Sequence, residues 1–184
     1  GYYSWQTPTG LVSTEEEAVK HLIDQGLAVR DDVTLASEHS IGNLMPFISH
    51  YLPRTKVVPL IFHHDVTLEE VDRLLQGLKP YLRQGTVLVA SVDFSHYLTR
   101  RKAEAKDIAT LSYMQRFDYS TLFRLGDDHL DSPASLASAF RLAEMRGIKK
   151  FTVLDHNNSG NIMNNDLMET TSYFSLAFTD NADA

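Results

Sequence analysis

Five residues of this chain have the types and spacing that could do chemistry: Glu38 with His39, Asp93 with His96, and His129. Asp93 and His96 close the stretch Thr86–Tyr97, TVLVASVDFSHY, in which six apolar or small residues, Val87–Val92, give way abruptly to polar ones. That profile predicts a buried strand delivering side chains to the carboxyl edge of a sheet, where the loops of open α/β folds diverge and ligands bind. An acid beside an imidazole can orient the ring while the ring moves a proton. The plainer alternative is a capping Asp and a loop His at an ordinary strand–helix junction.

Glu38 and His39 are adjacent on a loop that enters a helix, where they can act as ligand, base or orienting pair, or equally as a cap and a surface His. His129 lies in Asp127-Asp128-His129-Leu130-Asp131, the densest polar cluster of the chain. The helix that follows opens at Ser132 and Pro133, and its amino terminus would stabilise an anion or a metal-bound oxygen. An acidic loop with a capping Asp has at least as strong a claim. His63 and His64 are adjacent on an extended segment, so they point to opposite faces, and at best one of them serves the crevice.

The elements that must position these residues follow from pattern. A helix is predicted after Ser13 and Thr14, with Glu15, Glu16 and Glu17 at its start, Ala18, Leu22 and Ile23 buried, and Gly26 at its end. In EHSIGNLMPFISHYLP, taking Asn43 as cap puts Pro46 in the first turn of a helix over 44–52 that buries Leu44, Phe47, Ile48 and Tyr51. Lys56–Phe62 reads as a strand that Pro59 demotes in part to an edge or bulge. A helix capped by Thr67 and Glu70 carries the stripe Leu68, Val71, Leu74, Leu75 and Leu78, and with Thr86–Val92 it makes a strand–helix–strand unit. Thr99–Phe117 is predicted as a long helix, apolar late through Ile108, Leu111 and Met114. A shorter helical piece over Tyr119–Leu125 follows, then a helix from Pro133 with Leu136, Phe140, Leu142 and Ala143 inward. Phe151–Leu154 and Thr170–Thr179 read as strands, with a loop Asp155–Asp166 between them and His156 at its start. The tail Asp180–Ala184 is expected to fray.

These signals predict one α/β domain over residues 1–184, with a central mixed, mostly parallel sheet, Val87–Val92 in its middle, and helices on both faces. At 184 residues the chain can bury a core without staples, and 43% hydrophobic with 22% charged residues is the composition of a soluble globular protein. Seventeen basic against 24 acidic residues argue against nucleic acid, which needs a basic face. No apolar run approaches the roughly 18 residues of a membrane span. With no cysteine there are no disulfides, thiol nucleophiles or thiolate ligands, and the eight histidines are the soft ligands that remain. No phosphate loop, dinucleotide fingerprint or nucleophile elbow is present. The start, GYYSWQTP, has neither an initiator Met nor a signal pattern and reads like the middle of a folded protein, so a fragment or processed chain is expected.

Four stretches in order carry a family resemblance: WQTP, EHSIGNLMPF, SVDFSHY and HLDSPAS. EHSIGNLMPF resembles the EHS-x5-PF/PY segment of the Memo family, which includes the animal Memo proteins and the bacterial AmmeMemoRadiSam system protein B. SVDFSHY is similar to its SSDxxHxG-like segment, and HLDSPAS stands where the family has a Cys-Gly-Arg-x-Pro-Ile-like one. The resemblance runs over nearly the whole chain. It implies the fold of class III extradiol dioxygenases, with a crevice for a non-haem metal lined by Glu38, His39, Asp93 and His96, and His129 where relatives place a cysteine near the metal. Imidazole in place of thiolate shifts the preference toward harder metals such as iron or zinc, copper being a further candidate.

Three departures qualify this. The two histidines of the family's amino-terminal PHAGY-like and GPxH-like motifs have no counterpart here, so the chain corresponds to the carboxyl-terminal two-thirds of a larger Memo-like domain. Gly42 replaces an acidic residue, and Leu98 stands where relatives often have Gly. The resemblance thus implies a metal-dependent oxidoreductase whose iron site is completed in the full-length protein, this chain alone binding none. The alternative is a binding module that takes a small molecule, peptide, small anion or partner enzyme, a radical-SAM-type partner being the one the family suggests. The expected location is the cytoplasm.

Overall fold

The computed structural model describes residues 1–179, and the predicted frayed tail lies outside the described residues. The fold is α/β, as expected, and the chain divides into two compact units: Gly1–His63 with Glu69–Val87, and His64–Leu68 with Leu88–Ala184. No described helix is long and apolar enough to cross a membrane.

The first unit begins with a hairpin of β1 (Ser4–Thr7) and β2 (Gly10–Thr14) around the Pro8-Thr9 turn. Ser13 and Thr14, predicted to cap a helix, are instead the end of β2, and Thr14 is buried with its hydroxyl donating to the Tyr3 carbonyl. Being β-branched, Thr14 suits the pleated strand better than a helix start. Helix α1 (Glu16–Asp24) follows with Ala18, Val19 and Leu22 buried, and Gly26 takes the left-handed φ of +65° that only glycine adopts cheaply after a helix. Helices α2 (Asp32–Ser37), α3 (His39–Gly42) and α4 (Met45–Tyr51) are short. Pro46 is in the first turn of α4 as predicted, but the buried face is Met45 and Ser49, while Phe47 and Tyr51 are 63% and 73% exposed. Ser49 fixes that phase, because Thr9 Oγ1 donates to its hydroxyl at 2.9 Å and so draws the 45/49 face onto the hairpin.

Strand β3 covers only Lys56–Val57, parallel to β2; beyond it the predicted strand to Phe62 has no strand pairing among the described residues. Pro59 supplies the reason, having no N–H for a ladder. Helix α5 (Leu68–Leu78) buries Val71, Leu74, Leu75 and Leu78 as its pattern predicts, and Leu74 and Leu78 pack with Leu22.

The prediction of a buried central strand at Thr86–Val92 is corrected. The segment has no strand pairing among the described residues, and Val87 and Val89 are 75% and 63% exposed. Burial alternates along it, with Leu88, Ala90 and Val92 partly covered. A continuous apolar run signals two-sided burial only where neighbours cover both faces, and here one side is covered.

The second unit is built on α6 (Arg100–Gln115), α7 (Tyr119–Leu122), α8 (Pro133–Met145), β4 (Thr152–Asn158), α9 (Ser159–Ile162) and β5 (Ser172–Ala177), with β4 and β5 antiparallel. Helix α8 is as predicted: Ser132 caps it by accepting from the Ser135 N–H at 3.3 Å, Pro133 opens it, and Leu136, Phe140, Leu142 and Ala143 are buried. Phe140 is the centre of an aromatic cluster with Phe117, Phe151 and Phe178, at ring distances of 4.9–5.3 Å. Strand β4 runs to Asn158, so His156, predicted to begin a loop, is a strand residue opposite Phe174 of β5.

Helix α6 exists where predicted but is rotated. Its buried residues are Ala103, Asp107, Thr110 and Met114, and Ile108 is 72% exposed. This spacing of four, three and four is one helical face, and it carries an acid and a hydroxyl. Truncating this face separates the two phases. Met114→Ala should cost about 2–5 kcal/mol and Ile108→Ala less than about 0.5 kcal/mol. Equal losses in chemical denaturation of the two variants would show the helix to be turned the other way.

Candidate functional site

In the second unit, the segment Asp93–Leu98 lies between two others through backbone hydrogen bonds. On one side Asp131 N–H donates to Asp93 O (3.0 Å) and His96 N–H to Asp127 O (3.3 Å), with Phe94 bridging Leu130. On the other, Phe94 N–H donates to Ser172 O (2.9 Å), Ser172 N–H to Ser95 O (2.9 Å) and Thr170 N–H to Leu98 O (2.9 Å). The ladder therefore brings the polar ends SVDFSH and DDHLD side by side. It does so because Phe94 and Leu130, both buried, anchor the two segments in the same apolar core.

Asp93 N–H donates to Asp131 Oδ1 at 3.1 Å. Desolvation and the nearby Asp93 carboxylate push Asp131 above the usual carboxylate range, against a smaller opposing pull from His96. His96 lies edge-on to Tyr97, and its Nδ1 is buried without a hydrogen-bond partner among the described residues. Tyr97 has a φ of 60°, a left-handed conformation that a bulky residue adopts only under constraint.

His129 Nδ1 lies 2.7 Å from Thr110 Oγ1, on the buried face of α6. Desolvation, reinforced by Lys106, holds its pKa below the usual imidazole value. Lys106 itself pairs with Asp128 at 2.6 Å, which keeps the Asp128 carboxyl below its ordinary range. His129 is thus biased toward the neutral ring, the form that can accept a proton or bind a metal.

Glu38 and His39 belong to the first unit. Glu38 is the N-cap of α3: its Oε1 accepts from the Ser40 N–H at 2.7 Å, and the Ser40 backbone and hydroxyl hold its carboxyl below the usual range. His39 is exposed, its Nδ1 3.9 Å from Glu38 Oε1. This is the geometry of the capping alternative.

Four residues at this site escaped sequence reasoning: Ser95, Asp107, Thr110 and His156. Asp107 is fully buried, with Oδ1 accepting from Ser95 Oγ at 2.7 Å and Oδ2 lying 2.8 Å from His156 Nε2. The His156 ring stacks on Phe174, centroids 4.1 Å apart. The signal that could have found Asp107 and Thr110 is their spacing with Ala103 and Met114. Ile108, 72% exposed, masks it by suggesting another phase.

Among the described residues, the one group of three His, Asp or Glu whose ligand atoms lie within 4.8 Å of one another is His63, His64 and Asp65. The turn at His64-Asp65 bends what was expected to be extended chain, which accounts for their approach. All three are exposed, and such runs are common without an ion. Asp93, His96 and His129 do not form a group of this kind.

Over residues 2–176 the chain matches the model of the Memo-like protein family. It belongs to the Memo family. Its relatives include MEMO1 family proteins of Pyrobaculum aerophilum (29% identical over 95% of this chain and 64% of the relative), Thermoplasma volcanium (30%, over 94% and 65%) and Aquifex aeolicus (26%, over 95% and 67%). The chain therefore spans about two thirds of the length of these Memo relatives.

The pKa directions give the site a pH signature. His129 has its pKa lowered on folding, so the folded state binds fewer protons than the unfolded one below about pH 6.5. Its contribution to stability is present above that pH and is lost as pH falls toward the folded pKa. Asp131, with a raised pKa, has the opposite sign: stability falls as pH rises from about 3.8 through its folded pKa. NMR titration should find His129 below and Asp131 above their free values, and Lys106→Met should move His129 upward. A His129 titration indifferent to that change would remove Lys106 as a cause.

Proposed function

We propose that this chain supplies the proton-transfer side of a dioxygenase-like oxidoreductase crevice, acting on a small molecule not yet known. The observation that carries the reading is His129: a ring held by Thr110, biased toward the neutral form, beside a ladder that also presents Asp93, His96 and Asp131. In this reading His129 takes a proton through Nε2, the nitrogen that Thr110 leaves open. Asp131, its pKa raised by burial and by Asp93, is a second proton-handling group here, and Asp93 and His96 orient the polar edge of the substrate. Glu38 and His39 enter only through the family resemblance.

The residues present do not by themselves fit the non-haem iron that the resemblance implies, since such a site normally takes three protein ligands, two of them usually His, and Asp93, His96 and His129 are not gathered into one. No step here passes through a metal. The same observation favours a second reading, a binding module that uses the crevice for a peptide or a partner protein such as a radical-SAM enzyme.

Anaerobic titration with iron(II), followed by admission of oxygen, separates the two. Under the oxidoreductase reading, the full-length relative of Pyrobaculum aerophilum binds iron stoichiometrically and consumes oxygen, and the 184-residue chain binds iron orders of magnitude more weakly. Equal, tight binding by both would place the ligands within these residues. Any oxygen consumption by this chain should fall about 10²–10⁴-fold in His129→Gln, the usual contribution of a general base. Iron bound without oxygen uptake by either protein would favour the binding module.

A further inference from the structure

We infer that helix α6 sets opposite tautomers on two imidazoles, so that the site holds a second oriented histidine, His156, besides His129. This deepens the reading of His129 as a base, on which its first half rests; the assignment of His156 stands independently.

The Thr110 hydroxyl has one hydrogen, and it donates to the Lys106 carbonyl at 3.0 Å, the back-bond that a helical threonine commonly makes. At the 2.7 Å contact between Thr110 Oγ1 and His129 Nδ1 the ring must then supply the proton. His129 is the Nδ1–H tautomer, with its lone pair on Nε2.

One turn earlier on the same face, the Asp107 carboxylate can only accept. Ser95 Oγ donates to Oδ1 at 2.7 Å, and His156 Nε2–H donates to Oδ2 at 2.8 Å. The neutral His156 ring therefore carries its lone pair on Nδ1. Stacking on Phe174 blocks one ring face and holds the plane, so neither tautomer nor orientation is free. A buried carboxylate donating no proton, with a histidine N–H aimed at it, is the arrangement that fixes catalytic and metal-binding imidazoles elsewhere in proteins.

Asp107 and Thr110 are thus positioning residues. They act through His156 and His129, and what they deliver is two bare nitrogens, each able to accept a hydrogen bond from an O–H or N–H group. The chemical class this favours is a neutral or cationic ligand rich in donors.

The test is the 15N spectrum of histidine-labelled 184-residue chain near pH 8.5. His129 should show a protonated Nδ1 and a bare Nε2, and His156 the reverse. Thr110→Val should abolish the His129 pattern, giving the averaged signals of a ring exchanging tautomers, and Thr110→Ser should restore it. Ser95→Ala leaves Asp107 in place and should leave His156 unchanged, whereas Asp107→Asn should lose its pattern. A merely structural role for Thr110 predicts no difference between the spectra of folded wild-type and Thr110→Val protein. A wild-type spectrum with both rings in the same tautomer overturns the inference without any variant. Both rings in the expected tautomers, with no oxygen uptake by the full-length relative, would defeat the proposed function and leave the tautomer assignment standing.

Discussion

The second unit depends on one buried carboxylate. A charge removed from water costs several kcal/mol unless it is paired or fully hydrogen-bonded, and Asp107 has no solvent exposure at all. Both its oxygens are engaged, and the donors come from two other segments: Ser95 from the 93–98 ladder and His156 from β4. The requirement to satisfy Asp107 therefore locks helix, ladder and hairpin into one arrangement. An apolar residue of similar size would fill the space more cheaply, but it would exert no directional demand on Ser95 or His156. The phenylalanine beneath reinforces the lock, because Phe174 stacks on His156 and meets Phe94 edge-on at 4.7 Å, so the apolar core and the polar network share a wall.

What the sequence revealed depended on whether apolar residues decided the packing. Helices α5 and α8 were legible because their buried residues are leucine, valine, alanine and phenylalanine at helical spacing, with a hydroxyl cap or acidic first turn to mark the start. Helix α6 was legible as a helix and illegible in phase. Its buried face is half polar, and an acid or threonine is read as solvent-facing unless its partners are known. Those partners lie 12 residues before Asp107 and 49 after it, beyond any local pattern. The same reason hid His156, which only the pairing of β4 with β5 turns toward Asp107. The polar cluster at 127–131 and the SVDFSH segment were legible as chemistry; that they lie side by side was not, since the ladder is made by backbone groups that every residue shares.

The run Val87–Val92 failed in the other direction. Its composition is that of a strand covered on both sides, yet burial follows a period of two, with Val87 and Val89 outward. Hydrophobicity records what a segment can bury. Whether it does so is decided by neighbours, which composition does not name.

The backbone at the end of the ladder shows how the site is held. Tyr97 keeps a φ of 60° between His96, whose N–H is bonded to Asp127 O, and Leu98, whose carbonyl accepts from Thr170. A conformation costing on the order of 1 kcal/mol or more for a bulky residue persists because the bonds on either side of it over-determine the chain. Relaxing Tyr97 would break one of them and release either His96 from the acidic cluster or Leu98 from Thr170, just ahead of β5. That cluster, Asp93, Asp127, Asp128 and Asp131, is answered nearby by Lys106, already paired with Asp128. An anion entering there would meet several carboxylates together, and like charges repel. The raised pKa of Asp131 is the same repulsion read from inside, a carboxyl made reluctant to ionise by burial and by Asp93. The small-anion form of the binding reading is therefore the one the electrostatics oppose. A ligand that brings hydrogen-bond donors, or positive charge, would relieve the strain that an anion would add.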